Sequence, residues 1–402
     1  CRQIVAAIAA NRELATAQGK LRFQATKVFP DVAGEDFMAL GVERPQGFST
    51  NTVVTIGERL MLKGYRRLRA GISPELEMSR YLTEVARFPN AVPVAGTVEY
   101  TGNDGKVVVL AMLQAYIANQ GDGWGYSLDY LQRYFEQHRT VPATDTLPAN
   151  AHDAYVVLVR ILARRTAELH IALAQRHGNA DFDPQPIAQF DLDAWRQRAG
   201  EEATQTLALL EANLDKLPAT ERDVGRQLLA QRDAMLAQLQ LYASGAGALR
   251  GVKTRIHGDY HLGQVLVTKN DFVIIDFEGE PGHSLEQRRA RQSPLRDVAG
   301  MLRSFNYARH AALRNVVREE TELMKLAPLA EAWEIETRAA YLEAYTETLR
   351  AAGLLEKLMP DAGLLDLFEF EKSLYELRYE LNNRPNWADI PLRGILARLG
   401  GR

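Results

Sequence analysis

The dominant hydrophobic period of this 402-residue chain changes near residue 120, and that switch limits the folds open to it. Between residues 20 and 120, short β-branched runs recur at 20–26, 52–56, 59–63, 94–100 and 106–114, separated by turn signals such as Gly102-Asn103-Asp104-Gly105. Strand side chains alternate faces, so this half predicts a sheet. One helix interrupts it at 74–87, with Ser73 as N-cap, Pro74 at the first helical position and Glu77 near the first turn. The opening residues 2–17 read as the tail of an Ala-rich amphipathic helix. Beyond about residue 126 the period lengthens, and helices are expected at 127–137, 151–176, 192–213, 221–241, 295–310, 329–352 and 360–383. One β island remains within them: 264–267, a turn at Lys269-Asn270-Asp271, and 272–275 predict a hairpin.

That hairpin carries the chemistry. In the string RIHGDYHLGQVL, Asp259 and Gln264 stand five positions apart, and Asp276 follows the apolar run of the second hairpin strand. A catalytic-loop Asp, a metal-binding amide and a second metal-binding Asp are spaced in this way in phosphotransferases. The chemistry needs an in-line acceptor hydroxyl and neutralised nucleotide phosphates, and Mg²⁺ takes hard oxygen ligands. Asp259 would therefore orient the acceptor and accept its proton, while Gln264 and Asp276 would hold Mg²⁺ against the phosphates of ATP. Upstream, Lys63 ends an apolar strand and Glu77 lies on the helix that follows, the arrangement of a phosphate-binding lysine pinned by a helix glutamate. Ser49, Thr50, Asn51 and Thr52, between two strands, would bind phosphate oxygens through hydroxyl, amide and backbone donors. The order of elements is that of an α+β, bilobal protein-kinase-like fold. Its sheet lobe would span 1–117, the opening residues being, as the resemblance described below implies, the remnant of an N-terminal cap, and its helical lobe, with the hairpin and acceptor site, 118–402.

Composition supports a small-molecule enzyme. Forty-eight basic against 51 acidic residues leave a formal charge of −3, which offers no footprint for nucleic acid or an anionic membrane. The sole cysteine is Cys1, so no intrachain disulfide and no cysteine-rich zinc site can form. The longest apolar run, around 107–112, is too short to span a bilayer. A cytoplasmic location is expected.

Several strings together resemble the maltokinase family: RIHGDYHLGQVL (255–266), VIIDFEGEP (273–281), SPLRDVAGMLRSF (293–305), YELRYELNNRPNWADIPLRGI (375–395), LKGYRR (62–67) and NQGDGW (119–124). The resemblance covers roughly residues 45–400. It implies the fold of aminoglycoside phosphotransferases, ATP as phosphoryl donor, maltose as acceptor and maltose 1-phosphate as product. It implies the same roles for Asp259, Gln264, Asp276 and Lys63, and association with a trehalose synthase in one polypeptide or complex. Aminoglycoside phosphotransferases generally carry Asn where this chain has Gln264, and they lack the DFEGEP continuation. The Arg-Trp-Phe signature that opens free-standing maltokinases is missing, and Phe48 stands near a Glu-Gln of relatives.

The acceptor site is expected from aromatic faces and bidentate polar groups. Trp124, Glu278, Tyr379, Asn383 and Arg384 are the candidates, with Trp387 beside them, while Tyr375 is assigned to packing. Glu278 carries a carboxylate too costly to bury alone, so it should face a metal, an arginine or a sugar hydroxyl. His257 is assigned to bracing the loop backbone, and Asp297 to capping its helix and bracing the catalytic loop. The run from Gln287 to Arg291 reads as a solvated face. A related phosphotransferase acting on another sugar or an aminoglycoside is the runner-up, and a non-catalytic domain of a trehalose synthase assembly is the rival from another class.

Overall fold

The computed structural model describes residues 1–45, 50–139 and 151–400. They divide into two compact units. The first holds Cys1–Gly123, His257–Asp259 and Gly263–Ala290, and the second the remaining described residues. The hairpin thus belongs with the sheet rather than with the helices at 118–402. Its backbone explains why: Ile274 N–H donates to Asn90 O at 2.7 Å, Gln120 N–H donates to Val267 O at 2.8 Å, and Val267 N–H to Gly121 O at 2.9 Å. Extended chain buried away from water needs such partners for its peptide groups.

The first unit is built on an antiparallel sheet of β1 (Glu13–Thr16), β2 (Gly19–Ala25), β3 (Val42–Glu43), β4 (Thr52–Ile56), β5 (Leu60–Gly64), β6 (Val94–Gly102) and β7 (Val107–Ala115), in the order β1-β2-β6-β7-β5-β4-β3. The five expected strands are present, 52–56 at its expected bounds and the others with edges moved by one or two residues. The opening helix is shorter than its composition suggests. It stops at Ala9, Asn11 takes a left-handed φ of 48°, and the chain turns back as β1. Asparagine tolerates that conformation, and its Oδ1 here accepts from Ala25 N–H at 2.9 Å. The helix lays Val5 and Ile8 onto Ile56, Leu60, Leu62, Val98 and Leu113. Each such side chain, fully buried, contributes about 1.5–3 kcal/mol. The close approach demands Gly96, where a Cβ would lie 2.3 Å from Ile8 Cγ2 and 2.8 Å from Gln24 O.

Helix Pro74–Glu84 begins as expected: Ser73 Oγ accepts from Leu76 N–H, and proline occupies the first turn. It ends three residues before the predicted 87, because Arg87 turns to a left-handed φ of 50° and lets Phe88 N–H reach Leu82 O at 2.9 Å. The expected hairpin is present and pairs Val265–Thr268 with Asp271–Ile274, but its turn is only Lys269 and Asn270, because Asp271, expected in the turn, already pairs with Thr268.

The second unit is mainly helical around buried Phe305, Trp333, Tyr341 and Tyr345. The helix expected at 221–241 is two, Ala219–Ala230 and Arg232–Leu241. Conversely, the helix expected from 329 starts at Glu320 and carries Pro328 inside it. Proline lacks an N–H, which makes it a natural stop in a sequence reading; burial of Leu326, Ala330 and Trp333 in one helix outweighs the lost bond here. Among the described residues no helix is long and apolar enough to cross a membrane.

Candidate active site

Lys63 sits on β5, a central strand, opposite Val53 of β4 and Met112 of β7. Its Nζ donates to Glu75 Oε1 at 2.7 Å, Asp276 Oδ1 at 3.1 Å and Glu278 Oε1 at 3.2 Å. Three segments distant in sequence meet at this one ammonium: a strand, the first turn of a helix, and the loop leaving the hairpin. Tyr65 completes the cluster by donating its hydroxyl to Glu75 Oε2 at 2.6 Å.

The helix partner of the lysine is Glu75, which corrects the assignment of Glu77. Residues two apart on an α-helix point roughly 200° apart, so only one of the two glutamates can face β5. Glu77 faces the other way and forms a two-pronged pair with Arg289, at 2.7 and 2.8 Å. Both glutamates occupy the first turn, and nothing local in the sequence separates them.

The loop before the hairpin is braced by His257. Asp259 N–H donates to its Nδ1 at 3.3 Å, so the ring proton lies on Nε2, which donates to Ile275 O at 2.8 Å. One imidazole thus ties the peptide of Asp259 to the residue preceding Asp276, the bracing role expected of it. Gly258, at φ 83°, brings the loop against Gly279: a Cβ there would lie 3.4 Å from the Gly279 Cα. Asp276 itself holds a φ of 63°, a conformation uncommon for a non-glycine residue and a mark of local constraint. Gln264 Nε2 donates to Asp276 Oδ2 at 3.5 Å, so the two expected metal ligands are neighbours. Arg288, read from sequence as surface, ties down the loop after Asp276 through bonds to the carbonyl oxygens of Glu278, Pro281 and His283.

Electrostatics follow from the crowding. Burial works to lower the Lys63 pKa, but Glu75, Asp276 and Glu278 outweigh it and hold the ammonium well above its ordinary value. Burial pushes Glu75 up to about 7 despite the lysine beside it, and the charges on Asp276 and Glu278 add to that push. For Asp276 burial also acts upward, but the lysine prevails and the carboxyl stays below its usual range. One ammonium against three carboxylates leaves the cluster anionic. Oxygens of Glu75, Asp276 and Glu278 all lie within 4.8 Å of one another, a hard-oxygen donor set that suits a divalent cation such as Mg²⁺.

The remaining expected site residues are less gathered. Ser49 lies outside the described residues. Thr50 is exposed and Asn51 half-buried, while Thr52 stands opposite Gly64, beside Lys63, with its hydroxyl accepting from Arg66 Nε at 3.2 Å. The sugar candidates other than Glu278 belong to the second unit. Trp124 is in the first turn of helix Gly123–Arg139. Tyr379 is 45% exposed, and its carbonyl accepts from Asn383 Nδ2 at 2.8 Å. Arg384 is held by Glu380 at 2.6 and 2.9 Å, with its guanidinium over the rings of Tyr379 and Trp387 at 5.5 and 5.1 Å. Glu75 and Tyr65 are the cluster residues that sequence reasoning missed; a glutamate in the first turn after the lysine strand was the one available signal.

Residues 42–279, which include the whole lysine–carboxylate cluster and the Asp259 loop, match the pattern of the phosphotransferase enzyme family. The chain is 28% identical over 344 residues to a glucosamine kinase of Streptacidiphilus jiangxiensis, covering 85% of this chain and 70% of that protein. It is 26% identical over 343 residues to a glucosamine kinase of Mycolicibacterium smegmatis, covering 85% and 75%. Its fold is that of a solved glucosamine kinase in complex with glucosamine, ADP and inorganic phosphate, with a TM-score of 0.71 at 23% identity, covering 99% of this chain and 82% of that one.

Proposed function

This chain belongs to the phosphotransferase enzyme family, and from that premise we propose that it is an ATP-dependent kinase that transfers the γ-phosphoryl group to the anomeric hydroxyl of maltose. The observation that carries the reaction class is the ammonium of Lys63 bonded at 2.7–3.2 Å to Glu75, Asp276 and Glu278. A lysine fixed in this way presents a permanent positive charge for nucleotide phosphates. Gln264 and Asp276 would hold Mg²⁺, which when bound supplies neutralisation of the phosphate charge. Asp259, with its peptide held by His257, orients the acceptor hydroxyl and accepts its proton as the sugar oxygen bonds to the γ-phosphorus and the bond from that phosphorus to the bridging oxygen breaks, releasing ADP. An anomeric hydroxyl is more acidic than an ordinary alcohol, so a carboxylate base suffices. Thr52, opposite Gly64 on the lysine strand, is assigned to the nucleotide together with Ser49, Thr50 and Asn51; Trp124, Glu278, Tyr379, Asn383 and Arg384 are assigned to the sugar.

The maltose acceptor rests on the resemblance of the strings at 255–266, 273–281 and 375–395 to maltokinases, and association with a trehalose synthase rests on the same resemblance. A second reading, an amino sugar as acceptor, is favoured by the glucosamine kinases that match along 85% of the chain. NMR of products formed with Mg²⁺–ATP and maltose, glucosamine, glucose, trehalose or kanamycin separates the two. An anomeric phosphate formed with maltose alone supports the first reading. Turnover of glucosamine without maltose replaces it with the second, and binding of sugar or ATP without any turnover favours a non-catalytic role.

A further inference from the structure

Tyr260 follows Asp259 directly, and the second unit holds it in an unusually complete way. Its side chain is 3% exposed, and its hydroxyl lies 2.9 Å from Thr166 Oγ1 on helix Asp153–Leu173. Thr166 is fully buried and makes three bonds. Its hydroxyl donates to Leu162 O at 2.9 Å, and it accepts from Tyr341 Oη at 3.0 Å. A threonine hydroxyl has one proton and two lone pairs, so with the proton committed to Leu162 the third partner, Tyr260, must be a donor. Burial holds the phenols of Tyr260 and Tyr341 well above their ordinary value, so both keep the protons this arrangement requires. The main chain is clamped too. A Cβ at Gly300 would lie 2.5 Å from Tyr260 O, so helix Leu295–Val316 touches that peptide closely, and Ser304 Oγ on the same helix accepts from Leu262 N–H at 3.3 Å.

We infer that Thr166 is a positioning residue for phosphoryl transfer: by accepting the Tyr260 hydroxyl, it fixes the peptide that carries the base Asp259. Thr166 lies 94 residues before Tyr260 and reaches the Asp259 peptide through the Tyr260 hydroxyl. A bond of this kind orients a base without touching substrate, and small misplacements of a reacting group cost rate rather than affinity. The inference rests on Asp259 being the base.

The test compares Thr166→Val, which keeps shape but loses the hydroxyl, with Thr166→Ser, which keeps it. Thr206→Val is the control: Thr206 is also fully buried in the helical unit, and its hydroxyl bonds Leu374 O. Steady-state kinetics with Mg²⁺–ATP and the turned-over sugar should show kcat of Thr166→Val reduced about tenfold with both KM values within about twofold, and Thr166→Ser close to wild type. Thr206→Val should lose comparable thermal stability yet keep its kcat. Tyr260→Phe removes the same bond from the other side and should reproduce the kcat loss. Wild-type kcat in Thr166→Val or Tyr260→Phe, an equal kcat loss in Thr206→Val, or a loss confined to KM overturns the inference. Asp259→Asn tells the two layers apart: if it stays active, the base assignment itself fails, whereas an inactive Asp259→Asn beside a fully active Thr166→Val removes only the role of Thr166.

Discussion

Replacing Glu75 by Gln, set against the same change at Glu77, probes the centre of the proposed site. Glu75 is 3% exposed at its side chain and Lys63 12%, whereas Asp276 and Glu278 are 38% and 36% exposed. Solvent screens the last two contacts down to at most about 1 kcal/mol each, so Glu75 is the principal anchor of the ammonium. Losing a charge-assisted hydrogen bond costs about 1.5–3 kcal/mol, and at about 1.36 kcal/mol per decade this predicts a fall in kcat/KM of roughly 10- to 150-fold. Stability should move less. Burial already disfavours the ionised form of Glu75, pushing its pKa to about 7, and the neutral amide escapes that cost while still accepting from Tyr65. Glu77→Gln breaks the pair with Arg289, whose side chains are 15% and 22% exposed, so it should lower stability by about 1 kcal/mol and leave kcat/KM within about threefold. Kinetics at varied Mg²⁺–ATP and thermal melts on both variants provide the readout. Equal losses of activity in the two, or full activity in Glu75→Gln, would refute the assignment of Glu75 as the partner of a phosphate-binding lysine.

Three further outcomes are expected. Asp259→Asn should lower kcat by at least about 100-fold, the scale of general-base catalysis, with nucleotide affinity by calorimetry unchanged; a modest loss would remove the base from the mechanism. His310 accepts from Arg309 at 2.9 Å, and its pKa is driven down to about 3 by burial and by Arg309, Arg303, Arg314 and Arg393. The unfolded chain takes up this proton below its ordinary value of 6.5 while the folded one does not, so stability is full above that pH and falls as the pH drops toward 3. Between pH 7 and 5 the loss from this group is about 2 kcal/mol, and denaturant titrations of His310→Gln should lack it. Gly96→Ala should lower stability by about 1–3 kcal/mol, because the new methyl meets Ile8 and the Gln24 carbonyl; an unchanged melting temperature would mean that the opening helix shifts freely on the sheet.

Much was legible before any fold was known because it depends on neighbours in the chain. Alternation identified β2 and β4–β7, the Ser73-Pro74 start identified the one helix between them, and the turn at Lys269-Asn270 located the hairpin. The spacing of Asp259, Gln264 and Asp276 pointed to phosphoryl transfer for the same reason, since a short loop and helical turn separate the first two and a strand, a tight turn and a second strand separate the last two. The misread places are those where contacts distant in sequence overrule a local signal. The chain after Asn11 could continue as helix or pair with β2, and pairing is favoured by strand hydrogen bonds that composition does not reveal. A proline at 328 signals an end, yet buried neighbours on both sides carry the helix through it.

What only tertiary packing decided is which distant groups meet. Lys63 and Asp276 are 213 residues apart, and their contact exists because the hairpin docks its backbone on residues 90 and 120–121 of the sheet unit. Glu75 rather than Glu77 is chosen by the rotation of one helix about its axis, which is settled by the burial of Leu76, Met78, Tyr81 and Leu82 and not by the glutamates. Thr166 was invisible as a functional candidate, since a threonine inside a helix looks like any other until its hydroxyl is seen shared among Leu162, Tyr341 and Tyr260. Sequence determines the period of each element and the chemistry each can offer. The rotation and docking of those elements, set by apolar burial and by the need of buried peptide groups for partners, determine which chemistry is brought together.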